Sequence, residues 1–216
     1  MSEGNGAQAV SEELQGMDDE ALRAGVWRLL ATLLAAAPDE QRLDLLRGLE
    51  LPVDESGNDD SMGSAWMTLR DAAKIAEPEA LRREYQDLFI GVGGGEITPY
   101  ASYYGSGQLM DRALVDLRRD LAMLGISRQD GTSEPEDHAA AVCEAMALAI
   151  EDADVDMAWQ REFFERHIAS WMGDLMQDLE AAAAARFYRA VAVFGQAFIA
   201  LEHRYIDSAD AEIPQN

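Results

Sequence analysis

The sequence predicts an all-α protein: a helical bundle of roughly eight to nine helices with an irregular Gly/Tyr-rich hinge loop. Three observations carry this expectation. Apolar residues recur three and four apart along most of the chain. No alternating stretch reads as a strand of convincing length. The segments that interrupt the periodicity are rich in Pro, Gly, Asn, Asp and Ser, the residues of turns.

The elements follow in order. Residues 1–16 are acidic, contain glycine and lack an apolar run, so they read as a mobile tail and not as a secretory or twin-arginine signal. One helical domain is expected over 17–210. Asp18 and Asp19 suit the start of a first helix that places Leu22, Val26, Leu29, Leu30 and Leu33 on one face, and Pro38 ends it. A short helix over 39–50 and a polar loop over 51–63 come next. A third helix covers 64–76, and Pro78 begins a fourth that runs to Ile90. Residues 91–107, GVGGGEITPYASYYGSG, hold six of the 17 glycines and three of the six tyrosines, and mark a hinge or irregular crossover. Met110, Leu114, Leu117, Leu121 and Leu124 then form an apolar stripe closed by Gly125, a natural C-cap. A turn over 126–133, a second possible hinge at 125–134, separates it from helices over 135–152, 156–170, 172–184 and 185–206. The last carries Phe187, Val191, Phe194, Phe198 and Leu201 on one stripe.

Charge narrows the function. With 17 Lys plus Arg against 41 Asp plus Glu, the net charge of -24 repels phosphate backbones and anionic lipid. Nucleic acid and stable membrane insertion are therefore not expected, and no apolar run is long enough to span a bilayer. A cationic partner fits better. Cys143 is the only cysteine, so no internal disulfide forms, and its alanine neighbours suit a small core residue.

Tests for enzymatic chemistry are negative. The Gly-rich loop lacks the Gly-Lys-Ser/Thr ending of a P-loop, and Lys74 is the only lysine in the chain. Glu96 stands where a dinucleotide fingerprint needs glycine. His138, His167 and His203 sit on three different helices, none with a second His or Cys at ligand spacing, so no metal site is expected. No serine lies in a nucleophile elbow. A helical hydrolase dependent on metal or nucleotide remains the least favoured alternative, and neither catalytic residues nor a cofactor are expected.

One local feature stands out. Residues 129–156 carry nine Asp or Glu and no Lys or Arg. Within Glu134-Pro135-Glu136-Asp137-His138, the proline and acids fit the first turn of a helix and its dipole. His138 shares a face with Val142 and Met146, and so faces either an apolar groove or the core.

Four motifs in register resemble the TorD/DmsD/NarJ group of redox-enzyme maturation chaperones: Tyr85-x-x-Leu88-Phe89-x-Gly91, Pro99-Tyr100-x-Ser102-x-Tyr104, Glu134-Pro135-x-Asp137-His138, and Phe164-x-x-His167-x-x-x-Trp171. The sequence departs from relatives in GVGGGE, where Gly-Pro-Gly is common, and in Ser170, where Pro is common. The resemblance implies an all-helical cytoplasmic chaperone, monomeric or domain-swapped. It would bind the twin-arginine signal peptide and body of a molybdenum-cofactor redox enzyme and assist maturation before export. A NarJ-type role on a redox subunit that stays in the cytoplasm is the alternative. Nucleotide binding proposed for some relatives has no motif here. Carried over residue by residue, the client-binding positions are Tyr85, Leu88, Phe89, Pro99, Tyr100, Ser102, Tyr104, Glu134, Asp137 and His138.

Overall fold

The computed structural model describes residues 4–48, 61–91, 93–106, 112–126 and 135–211, with side chains described for 19–48, 61–91, 93–105, 114–126 and 135–208. Its regular structure is helical: α1 (Gly4–Ala35), α2 (Glu40–Gly48), α3 (Ser61–Ile75), α4 (Pro78–Tyr85), α5 (Ala101–Ser106), α6 (Arg112–Met123), α7 (Ala139–Glu151), α8 (Met157–Phe164), α9 (Met172–Ala181) and α10 (Phe187–Ala211). Among the described residues there is no strand, only an isolated antiparallel bridge between Tyr100 and His138. No helix among them is long and apolar enough to cross a membrane.

Helix α1 lies along α7, and α10 packs against α3 and α9. The α1–α7 contact is possible because α7 buries small residues: Ala139, Ala140, Val142, Cys143, Ala145, Ala147 and Ala149. Small side chains let two helix axes approach closely. Burial pushes the Cys143 thiol pKa up, which leaves it an inert core group. Trp27 of α1 sits at the centre of the core. Its ring meets Phe198 edge-on at 4.9 Å and Phe164 at 6.3 Å.

Several helix ends follow the sequence. Pro78 occupies the first turn of α4. Asp156 caps α8 by accepting from the Trp159 N–H at 2.9 Å. Gly125, at φ +70°, closes α6. There the Gly125 and Ile126 N–H groups donate to the Ala122 and Leu121 carbonyls at 3.1 and 3.0 Å, the paired bonds of a Schellman motif. The start of α1 differs from the sequence expectation. The helix includes most of the stretch expected as a tail, so Asp18 and Asp19 lie inside it and not at its start.

Two helices end in a wider π turn, Gln86–Ile90 after α4 and Glu165–Ala169 after α8. Neither is visible in the hydrophobic period, which it shifts by one residue. Two carboxylates beside the first π turn then hold the connection between α9 and α10. Glu84 accepts from the N–H groups of Arg186, Phe187 and Tyr188 at 2.7, 3.2 and 2.8 Å, and so caps α10 from another helix. Glu96 accepts from Ala183 and Ala184 at 2.7 and 3.2 Å.

The structure corrects two stripes. Leu22 and Leu201, expected in the core, are 42% and 39% exposed, while their neighbours Arg23 and Glu202 are 7% and 1% exposed. The two ions pair with each other, Arg23 Nη1 reaches Gln160 Oε1 at 3.3 Å, and the guanidinium lies 4.2 Å from the Tyr205 ring centroid. Pairing, hydrogen bonding and ring contact together make this burial tolerable.

A second buried polar cluster explains the Phe164/His167/Trp171 motif. His167 Nε2 donates to Asp120 Oδ2 at 2.7 Å, Arg166 Nη1 donates to the same oxygen at 2.5 Å, and Trp171 Nε1 donates to the His167 carbonyl at 2.6 Å. The motif thereby braces the π turn after α8 against α6. Burial depresses the His167 pKa in spite of the Asp120 carboxylate. Burial also works to raise Asp120, but the hydrogen bonds from His167 and Arg166 outweigh it, and the carboxyl is held below its ordinary range. Both depressed values act with one sign. The unfolded chain takes up these protons first, so each contribution is complete above the unfolded pKa and is lost as pH falls toward the folded one. The His167 part begins to fail below about pH 6.5 and the Asp120 part below about pH 3.9. The urea midpoint is expected to drop between about pH 7 and 5. A His167→Gln variant should show a flatter profile over that window; an equal slope in both proteins would remove His167 as the source.

Candidate functional site

The chain brings three sequence motifs to one place through backbone pairing. The Ala101 N–H donates to the Asp137 carbonyl at 3.0 Å, and the Ala139 N–H donates to the Pro99 carbonyl at 2.8 Å. The Ser102 N–H donates to Asp137 Oδ2 at 3.0 Å. These bonds stitch the Pro-Tyr loop to the turn ahead of α7. The third motif is fixed by the π turn after α4, where the Ile97 N–H donates to the Leu88 carbonyl at 2.8 Å and draws the Gly-rich loop back over it.

Between these segments, α6 and α7 lies a cleft of about 800 Å³. Tyr85, Phe89 and Ile90 form one side. Leu121, Ala122 and Ile126 of α6 and its C-cap face Ala140, Ala141, Ala145 and Leu148 of α7, and Pro99, Tyr100 and His138 complete the lining. The alanines of α7 leave the space; larger residues would fill it. Three charged side chains join an otherwise apolar lining: Glu136, Glu144 and Arg118. Arg118 Nε and Nη2 donate to the two oxygens of Glu136 at 3.0 and 2.9 Å. Glu144 lies 3.6 Å from Arg28 Nε, and that guanidinium is itself engaged with Glu151.

The ten residues singled out from the sequence divide. Tyr85, Phe89, Pro99, Tyr100 and His138 line the cleft. Tyr85 does so with its ring; its hydroxyl is shared between the Leu34 and Ala35 carbonyls at 3.1 and 2.9 Å, at the C-terminus of α1. Phe89 packs on Tyr85 and Tyr188 with ring separations of 4.8 and 5.3 Å. Leu88, Ser102 and Asp137 lie behind the cleft, at 0%, 1% and 1% exposure. Leu88 is core, and Asp137 and Ser102 are the brace described above; Asp137 Oδ1 meets no hydrogen-bond partner among the described residues. Tyr104 is on another face, where its ring meets Trp171 at 5.8 Å and its hydroxyl donates to Asp178 Oδ2 at 3.0 Å. Burial and this carboxylate push the Tyr104 phenol pKa up. Glu134 lies outside the described residues.

The reading of Pro135, Glu136 and Asp137 as a first helical turn is also corrected. Helix α7 begins at Ala139. His138 is its N-cap, with Nδ1 accepting from the Ala140 N–H at 3.1 Å and the ring edge-on to Tyr100 at 5.1 Å. The bridge to Tyr100 demands an extended backbone at His138 (φ -63°, ψ 137°), so the helix cannot start earlier. Glu136 and Asp137, released from any role at the helix dipole, reach Arg118 and Ser102.

Arg118, Glu136, Glu144, Leu121, Ile126 and Leu148 were not singled out from the sequence. One signal was available. Helix α7 is apolar nearly all round, which marks a helix covered on every side, yet Leu148 is 38% exposed and Ala141 is exposed. The arrangement has the form of a receptor for an extended or helical apolar segment with a cationic group near one end. Carboxylates would orient the cation, while the aromatic and aliphatic walls would supply most of the affinity.

Comparison with known proteins bears on the family and the fold. A family model described as the nitrate reductase delta subunit matches residues 55–177. The chaperone protein TorD of Shewanella loihica is 26% identical over 193 residues, spanning 83% of this chain and 90% of its own. TorD of Vibrio cholerae serotype O1 is 26% identical over 137 residues, spanning 59% of this chain and 62% of its own. In fold, the chain is similar to a crystal structure from Archaeoglobus fulgidus described as a candidate redox enzyme maturation protein. The TM-score is 0.51 at 21% identity, over 84% of this chain and 93% of that one.

Proposed function

The chain belongs to the nitrate reductase delta subunit family as a TorD-like redox-enzyme maturation chaperone, and from that premise we propose that it acts in the cytoplasm on the twin-arginine signal peptide of a molybdenum-cofactor enzyme. The peptide's apolar stretch lies along Phe89, Leu121, Ile126 and Leu148, and an arginine meets the carboxylates of Glu136 and Glu144. The client is held from export until its cofactor is in place. The protein's work is binding rather than catalysis.

The observation that carries this reading is the apolar cleft of about 800 Å³ with two carboxylates on its wall, built from three of the four motifs. The magnitudes are consistent with it. A unit-charge pair at 4 Å contributes ~1 kcal/mol in water and ~4 kcal/mol at an effective dielectric near 20. Desolvation offsets part of that. The acidic wall therefore orients the peptide and the apolar wall retains it.

The test is calorimetry with a synthetic peptide carrying two adjacent arginines followed by a stretch of leucine and alanine. Binding is expected to weaken by about threefold between roughly 50 and 500 mM salt, because only the charged part is screened. An Ala141→Trp variant, which fills the cleft from an exposed position, is expected to bind at least about tenfold more weakly, a loss of roughly 1.4 kcal/mol or more, with an unchanged Tm. Wild-type affinity in that variant places the peptide elsewhere.

A second reading is favoured by the description of the family model itself: an assembly chaperone of the NarJ kind, whose client stays in the cytoplasm and presents an N-terminal segment without twin arginines. Capture of the client from the native organism and inspection of its N-terminus separates the two.

A further inference from the structure

We propose that Arg118 is an internal competitor for the arginine of a bound peptide: its guanidinium takes the Glu136 carboxylate that a peptide guanidinium would take, so binding exchanges one arginine for the other. The proposal rests on the reading of the cleft given above and adds to it a device that decides which peptides are accepted.

Four observations lead here. Arg118 and Glu136 both line the cleft, and Arg118 is the one cation among the described lining residues. The contact is a fork, with Nε and Nη2 each 3.0 and 2.9 Å from separate oxygens of the same carboxylate. It is the geometry by which a foreign arginine would be recognised. The partners come from different elements, Arg118 from α6 and Glu136 from the turn before α7, so the pair lies across the cleft wall and not along one helix. Finally, the Glu136 side chain is 16% exposed but the Arg118 side chain is 45% exposed. The acceptor is therefore held in place, while the arginine can swing into solvent.

The consequence is selection. A pair with one exposed partner contributes little to stability, so the exchange does not endanger the fold. A peptide guanidinium matches the fork and replaces Arg118 bond for bond. A lysine ammonium offers a point charge and cannot replace both bonds in that geometry. A neutral peptide has nothing to offer Glu136 and must bind with Arg118 still in place. Arg118 thus raises the threshold for every cationic segment and holds back lysine-bearing ones more than arginine-bearing ones.

The experiment uses the full chain and three synthetic peptides that differ only in two adjacent residues, Arg-Arg, Lys-Lys or Gln-Gln, ahead of the same apolar stretch. Arg118→Ala is expected to bind the Arg-Arg peptide three- to tenfold more tightly than wild type, with an unchanged Tm. The preference for Arg-Arg over Lys-Lys should narrow in the variant. The gain should vanish when Arg118→Ala is combined with Glu136→Gln, because both act through one carboxylate. Equal or weaker binding of Arg-Arg by Arg118→Ala overturns the exchange. If Ala141→Trp still abolishes binding in that case, the cleft reading stands without it. If neither wild type nor Arg118→Ala binds any peptide, both readings fall.

Discussion

A Gly95→Ala variant is expected to lose about 3 kcal/mol or more of stability, at the upper end of what overpacking costs. A Cβ at this position would lie 2.3 Å from the Leu88 carbonyl oxygen, 2.6 Å from the Phe89 carbonyl carbon and 2.7 Å from that of Leu88. All three are backbone atoms, so no side chain can turn aside. The backbone angle at Gly95 is one any residue adopts, and the requirement is for space alone. The chain cannot simply back away, because the Glu96 and Ile97 N–H groups donate to the Asp87 and Leu88 carbonyls at 3.3 and 2.8 Å. Shifting them displaces the π turn that presents Phe89 to the cleft. Urea unfolding checks the first effect. Gly105→Ala is the control: it lies in α5 and nothing stands within 4 Å of its added Cβ, so it should match or slightly exceed wild type. A Gly95→Ala midpoint equal to wild type would contradict the close approach, and peptide affinity in whatever fraction folds should fall as well.

Glu202→Ala is expected to cost about 3–5 kcal/mol, because it strands a guanidinium that the fold has removed from water. Among the described residues Arg23 would keep Gln160 Oε1 at 3.3 Å and the Tyr205 ring at 4.2 Å. Replacing both ions with Arg23→Met and Glu202→Leu should recover most of the loss, since an apolar pair needs no compensating partner. Urea unfolding of the single and double variants decides it. A single variant within about 0.5 kcal/mol of wild type would mean that water reaches Arg23 and that the pair carries no weight.

These two positions show where reading the sequence fell short. The spacing that put Leu22 and Leu201 in the core was sound as a pattern, but the buried residues are the adjacent Arg23 and Glu202. Each ion alone would be a poor core residue. They become acceptable only because each meets the other across 179 positions of chain, a pairing that no local window contains. The site follows the same logic. Phe89 and Leu88 are neighbours in one motif with equal claims to the groove, and the π turn after α4 sends Leu88 inward and Phe89 to the cleft. Asp137 and His138 read as a binding pair, yet Asp137 is spent on the Ser102 N–H and His138 both caps α7 and faces the cleft. Glu136, read as a dipole residue, is one of the two acids that line the cleft.

What the sequence determined alone is local: the helical character of the longer apolar-striped stretches, where Pro38, Pro78 and Gly125 end or begin them, the acidity that favours a cationic partner, and the motifs that place the chain in its family. Each depends on residues within a turn or two of one another, or on composition. What the tertiary structure decided is which motif residues meet. Pro99–Tyr100 and Asp137–His138 are joined by hydrogen bonds between backbone groups, and every residue but proline carries the same pair of them. Such a contact leaves no mark on side-chain identity, so the cleft it closes can be seen only when the chain is folded.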